Sequence, residues 1–207
     1  VVASTELCNF TKDYVYPHTF GASLPMADLE HTGCIVLWGH NPSSTWLPHG
    51  TRVADARARG AKLVVFDPRR VGFASKADQW LRVRPGSDGA LALGMLNVML
   101  NELDKFDEPF IRDKTNGPYL IGEDGHYVRD TETNKPLVWD DSLNAARPFD
   151  TDGGEAALDG DFEVNGEKCR PAFGLLRNHL KQFDVDEMSR ITTVPATTIR
   201  RLTAEFV

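Results

Sequence analysis

Short continuous apolar runs alternate along the first half of the chain with polar breaks containing glycine or proline. Cys34-Ile35-Val36-Leu37-Trp38 is one run, closed by Gly39-His40-Asn41-Pro42, and Lys62-Leu63-Val64-Val65-Phe66 is a second, closed by Asp67-Pro68-Arg69. Runs of this length without polar alternation fit strands buried on both faces, as in parallel sheets. Trp80-Leu81-Arg82-Val83 predicts a third, shorter strand that breaks at Arg84-Pro85-Gly86-Ser87-Asp88. Between the first two strands, residues 49–59 have helical character, and Gly60 supplies a C-terminal stop. A longer helix is expected from about Asp88 to Leu103. With Leu91, Leu93, Met95, Leu96, Val98, Met99 and Leu100 it is apolar nearly all round, so it should be buried. This alternation predicts an α/β fold: a doubly wound, mostly parallel sheet with helices on both faces.

Beyond residue 115 the texture changes. Gly117-Pro118, Asp124-Gly125 and Thr133-Asn134-Lys135-Pro136 are turn signals around two short β-like runs, His126–Arg129 and Leu137–Trp139. From Asp140 to Glu163 there are eight acids and one base, Arg147. That stretch reads as a solvated excursion. Helical character returns at 171–183 and at 195–206, where Pro195 suits a first helical position and Ile199, Leu202 and Phe206 mark one face. The expected organisation is therefore a core over 1–115, a hairpin and acidic loop over 116–170, and a helical segment over 171–207. That last segment either packs back on the core or belongs to a neighbouring α/β domain.

Composition narrows the function classes. The 207 residues carry 23 Lys and Arg against 30 Asp and Glu, a net charge of −7, which argues against nucleic acid and against a polybasic membrane patch. The longest apolar runs are about five residues, far short of the roughly 18 needed for a membrane span. No signal-peptide pattern opens the chain, and its start at Val1-Val2 suggests a processed protein or an excised fragment. Cys8, Cys34 and Cys169 are too scattered for a disulfide framework, and no C-x-x-C is present to ligate zinc or an iron–sulfur cluster.

In an open parallel sheet, ligands bind outside the carboxyl ends of the strands. All three expected strands end in polar turns. Gly39 lets backbone N–H groups approach a phosphate, Asp67 stands where an acid accepts ribose hydroxyls, and Asp88 offers two acceptors to a guanine N1–H and N2–H₂ edge. Residues 69–84 hold five bases (Arg69, Arg70, Lys76, Arg82, Arg84) and one acid (Asp78), locally +4 on an acidic chain, which suits an anionic ligand. Structural readings stand beside these: Asp67-Pro68 as a plain strand-ending turn, Ser87 and Asp88 as a helix cap, the bases as a solvated face. Neither G-x-G-x-x-G nor G-x-x-x-x-G-K-[ST] occurs, against an ordinary NAD site or a P-loop. His40 and His49 have no metal-ligand spacing and read as solvent-facing or supporting residues. A generic NAD-type nucleotide domain and a non-catalytic interaction domain remain as alternatives.

C-I-V-L-W-G-H-N-P, G-A-K-L-V-V-F-D-P-R and A-D-Q-W-L-R-V-R-P-G-S-D-G-A-L-A-L-G-M, in this order and at these separations, resemble the molybdopterin oxidoreductases of the dimethyl sulfoxide reductase superfamily. W-D (139–140), A-L-D-G-D-F (157–162) and I-T-T-V-P-A-T-T-I-R-R-L (191–202) resemble later segments, so the likeness covers nearly the whole chain. The resemblance implies the cofactor-binding central portion of an oxidoreductase. Its cofactor would be bis(molybdopterin guanine dinucleotide) with molybdenum or tungsten, and it would transfer oxygen atoms or electron and proton equivalents to or from a small substrate. It implies that Trp38, Gly39 and Asn41 lie beside a cofactor pyrophosphate, Asp67 and Arg69 in the nucleotide turn, and Gly86 and Asp88 in the turn that reads guanine. Cys8, in Thr5-Glu6-Leu7-Cys8 thirteen residues before Gly21, matches the metal-binding cysteine of Cys-ligated members. By residue type alone it reads as a small core cysteine, although a thiolate is a soft ligand suited to such a metal. The resemblance further implies N- and C-terminal domains outside this segment, an iron–sulfur cluster not ligated by this chain, an iron–sulfur electron-transfer subunit, and a periplasmic or envelope setting over a cytoplasmic one. The isolated segment is expected to be inactive.

Overall fold

A computed structural model describes residues 10–23 and 26–207 of the chain. Cys8 therefore lies outside the described residues. The chain divides into two compact units, Val1–Val65 with Arg70–Trp80, and Phe66–Arg69 with Leu81–Val207.

The first unit contains α1 (Phe10–Phe20), β1 (Cys34–Trp38), α2 (Pro42–Thr45), α3 (Leu47–Ala58), most of β2 (Lys62–Phe66), a 3₁₀ turn (Gly72–Lys76) and most of β3 (Gln79–Leu81). The strands form one sheet in the order β1-β2-β3. Its direction is parallel. Lys62 N donates to Gly33 O at the start of β1 and β2, while Asp78 N donates to Leu63 O and Asp67 N to Leu81 O at the two ends of β3. Both long strands fall where the apolar runs predict them. They differ in burial for a simple reason. β2 is central, and Leu63, Val64, Val65 and Phe66 are all buried. β1 is an edge, so Ile35 and Leu37 are buried while Cys34, Val36 and Trp38 are only half-buried. The expectation of burial on both faces holds for β2 alone. Val53 and Ala56 of α3 close the core over Ile35, Leu37, Leu63 and Val65, with Phe73 and Trp80 at its margin. Helix α3 starts earlier than expected, with Pro48 in its first turn, and ends at Ala58, two residues before Gly60 (φ 102°).

The second unit begins, after β3, with α4 (Asp88–Asn97), which passes into a single π turn (Val98–Glu102). The expected all-round burial is not met. Leu91, Val98 and Leu100 are buried, Leu93, Met95 and Met99 are half-buried, and Leu96 is 38% exposed. α5 (Glu108–Lys114) leads to five short strands, β4 (Leu120–Gly122), β5 (Leu137–Asp140), β6 (Ala145–Pro148), β7 (Phe162–Val164) and β8 (Glu167–Pro171). β4, β8 and β7 form an antiparallel sheet, with Gly122 opposite Cys169 and Cys169 opposite Phe162, and β5 pairs with β6. The expected run 126–129 forms only isolated bridges, through Tyr127 and Arg129. The chain ends in α6 (Ala172–Leu180), α7 (Val185–Thr192) and α8 (Ala196–Phe206). Ile199 and Leu202 are buried as expected, whereas Phe206 is 59% exposed. Gly94 admits α7 closely, since a β-carbon there would stand 3.0 Å from that of Met188.

The acidic stretch after residue 140 is not uniformly solvated. Asp140 is completely buried, and its Oδ2 accepts from Arg147 Nε at 2.6 Å. Ser142 donates to Asp140 Oδ1 from both N and Oγ, at 3.0 and 2.6 Å. Arg147 also reaches Thr151 O at 2.8 Å. One buried ion pair thus closes the β5–β6 turn. Charge counting alone does not separate this carboxylate from its solvated neighbours.

Candidate functional site

The turn after β1 is built around Asn41. Its carbonyl accepts from Ser44 N, Thr45 N and Thr45 Oγ1, at 3.0, 3.2 and 3.1 Å, which starts α2. Its carboxamide Oδ1 accepts from Ser43 Oγ at 2.6 Å, and Nδ2 donates to Ser44 Oγ at 3.3 Å. Gly72 (φ 55°) seals this arrangement, because any β-carbon there would collide with Asn41 Oδ1 and Ser43 Oγ. Gly39 is different. It is exposed, has φ 58°, and a β-carbon there would meet nothing within 4 Å. Its left-handed backbone carries open space beside it, the local condition for main-chain groups to reach a phosphate. Trp38 is half-buried at the end of the strand.

The turn after β2 closes on its own acid. Asp67 Oδ1 accepts from Arg69 N at 2.7 Å, an Asx-turn, and Arg69 is exposed. The structural reading of Asp67 is thus realised, and it occupies one of the two carboxylate oxygens. Arg70 lies over the Trp80 ring at 5.6 Å.

The turn after β3 is tied down twice. Arg84 N donates to Thr192 O at 3.0 Å, and Ser87 donates to Arg84 O from N and Oγ, at 3.1 and 2.7 Å. Ser87 is buried and spends its hydroxyl on this turn, so it is not a helix-capping group. Gly86 (φ 80°) has open space where a β-carbon would stand, and Asp88 begins α4 as an exposed residue. In the expected basic segment, Arg69, Arg70, Lys76, Arg82 and Arg84 are all exposed.

The structure therefore sets Trp38, Gly39 and Asn41 in one turn, Asp67 and Arg69 in a second, and Gly86 and Asp88 in a third. Each turn follows the carboxyl end of a strand of the parallel sheet. The pattern did not single out Gly72, whose role depends on a contact with a residue 31 positions earlier, or the pairing of His40 with His49 at 3.0 Å. Neither has a local sequence signal.

The family model for molybdopterin oxidoreductases matches residues 3–167. The chain belongs to the molybdopterin oxidoreductase family. Perchlorate reductase subunit alpha of Dechloromonas aromatica is 28% identical over 229 residues, covering 90% of this chain and 25% of the relative. The molybdopterin-containing subunit of thiosulfate reductase from Salmonella typhimurium is 42% identical over 103 residues, covering 47% of this chain and 13% of that one. Among solved structures, acetylene hydratase from Pelobacter acetylenicus has the same fold, with a TM-score of 0.63 over 98% of this chain and 20% of its own, at 24% identity. This molybdopterin oxidoreductase segment spans about a quarter or less of these relatives. Its family implies a molybdopterin cofactor with molybdenum. The fit is local. Gly39 and Gly86 offer uncovered main chain, and Asp88 offers an exposed carboxylate. No helix among the described residues is long and apolar enough to cross a membrane.

Proposed function

We propose that this chain is the guanine-dinucleotide-binding portion of a molybdenum or tungsten oxidoreductase. The observation that carries the reading is the pair of open, left-handed glycines, Gly39 and Gly86, each in a turn at the end of a parallel strand. Trp38, Gly39 and Asn41 hold one diphosphate turn. The Asn41 carboxamide shapes the loop through Ser43 and Ser44, and the Gly39 main chain faces the anion. Asp67, whose Oδ1 accepts from Arg69 N, presents its carboxylate to a ribose hydroxyl. Asp88 pairs with the guanine N1–H and N2–H₂ edge, and Gly86 leaves room for the base. Cys8 is the metal's protein ligand. When bound, the cofactor supplies a redox metal for transfer of oxygen atoms or of electron and proton equivalents, and the protein supplies position and electrostatics. The larger enzyme works with an iron–sulfur electron-transfer partner on a small substrate in the periplasm or envelope.

The test is metal and nucleotide analysis of the complete enzyme after anaerobic, metal-replete expression. About one molybdenum or tungsten per chain, with GMP released by acid, is the expected result. A metal-bound enzyme that releases no guanine nucleotide removes the dinucleotide assignment, and a metal-free enzyme removes the whole reading.

A further inference from the structure

Two histidines stand outside the roles assigned above. His40 lies in the turn after β1, between Gly39 and Asn41, and His49 in the first turn of α3. His40 Nε2 and His49 Nδ1 are 3.0 Å apart, a hydrogen bond between two half-buried rings. One nitrogen must donate and the other accept, so the neutral pair holds one N–H between the rings and one on an outer nitrogen. Trp46 packs on His49 with ring centroids 5.0 Å apart. Burial pushes the His49 pKa below the ordinary value, and His40 and Arg52 add to this, both opposing a cation there. The neighbouring elements add little to offset this. α2 has no ionisable side chain, the 3₁₀ turn packed on it has only Lys76, and β1 has only Cys34, while α3 itself adds Asp55 and Arg57 beyond Arg52. The first turn of a helix also disfavours positive charge. Two imidazolium ions at hydrogen-bond separation repel, so the pair can hold one proton between its rings but not two.

We propose that His40 and His49 act as a one-proton unit that couples diphosphate binding at the turn after β1 to proton uptake. The proposal rests on the reading of that turn as a cofactor diphosphate site. In the free protein near neutral pH the pair is uncharged. When a diphosphate diester arrives, the pair takes one proton from solvent. The rings then keep one N–H between them, and His40 Nδ1 and His49 Nε2 both carry N–H. One N–H bond forms at His40 Nδ1 as one O–H bond of hydronium, or the acidic bond of a buffer acid, breaks to leave water or the buffer base, and the positive charge sits one residue from Gly39 and Asn41. The site meets its anion with a charge that is absent when the anion is absent.

The test uses the full chain with ¹³C,¹⁵N-labelled histidine, followed by NMR from about pH 5 to 8, the range in which histidine titrates. The His40 and His49 ring signals are expected to shift together with pH, and His49→Gln is expected to abolish that joint response. Diguanosine diphosphate is the probe, because its diester diphosphate does not titrate in this range. Its affinity for the wild type is expected to fall about tenfold per pH unit above the joint response, the signature of one linked proton. It should be flat with pH in the His40→Gln/His49→Gln double variant. Independent titration of the two rings overturns the one-proton unit. Binding of the probe with a pH-independent affinity in the wild type overturns the coupling. Joint titration with no probe binding at any pH overturns instead the assignment of the turn as a diphosphate site, and the coupling falls with it.

Discussion

At the scale of single residues, the chain separates groups that build the turns from groups that face outward from them. Asp140 belongs to the first kind. Hydrogen bonds from Ser142 and then from Arg147 hold its carboxyl well below the usual carboxylate range. The sign follows directly: a depressed folded-state pKa means stability that is present above about pH 4 and lost as pH falls through the folded value. Asp140→Asn should therefore lower the urea midpoint at neutral pH and flatten its decline between about pH 4 and the acid limit. An unchanged acid profile would show that the carboxylate is not what holds the β5–β6 turn. Asp88 belongs to the second kind. In the proposed guanine contact, Asn in its place keeps one acceptor but sets a donor against the guanine donors. One charge-assisted bond is worth roughly 1.5–3 kcal/mol, so Asp88→Asn in the complete enzyme should weaken dinucleotide retention by about ten- to a hundredfold. Unaltered metal content and GMP release would place Asp88 outside the site.

At the scale of elements, the ends of helices and strands decide how well pattern predicts place. Asp184 caps α7, its Oδ1 accepting from Asp186 N and Glu187 N at 2.9 and 3.1 Å. Losing such a cap costs about 0.5–2 kcal/mol, so Asp184→Ala should lower the unfolding free energy by that amount, read by denaturant titration. A larger loss would mean that the residue supports more than its own helix. Thr192, at the end of α7, also receives Arg84 N, so this short helix fixes the turn after β3. None of this was legible in the sequence, because α7 is eight residues long and its tie to Arg84 spans more than a hundred positions. What was legible was the strand-and-turn skeleton from residue 34 to 88. There a buried parallel strand leaves an unbroken apolar run, and the turn must carry glycine, proline or a short polar residue. The strands β4, β6, β7 and β8 escaped notice for the opposite reason. They are three to five residues each, with Glu163, Glu167 and Lys168 exposed on them, and their burial is set by partners far along the chain. The three glycine-bearing turns were therefore readable as site candidates, while the contact from Gly72 that shapes Asn41 was not.

At the scale of the whole molecule, charge and reach set what the chain can do unaided. It carries −7 overall, and the ligand proposed for it is a large polyanion. Local attraction comes from the exposed bases between Arg69 and Arg84, set against an acidic remainder. The chain also spans only about a quarter or less of its relatives. In the proposed reading, three turns and one cysteine would reach only a limited part of a bis-dinucleotide cofactor. Association has to offset lost rigid-body freedom and the ordering of loops, of the order of 4–15 kcal/mol, from whatever contacts are made. With few contacts, little remains for affinity. The 207-residue chain purified alone is therefore expected to bind a diguanosine probe only weakly, in the millimolar range on the order of 4 kcal/mol. It should keep no molybdenum or tungsten through gel filtration and reduce no substrate. Each unit has a buried core of its own, around Leu63 in one and around Leu120 in the other, so it should still unfold cooperatively. Elemental analysis of the gel-filtered chain, beside a urea unfolding curve, decides the matter. A cooperative curve with no bound metal is the expected pair of results, and stoichiometric metal on the isolated chain would mean that these turns grip the cofactor without help.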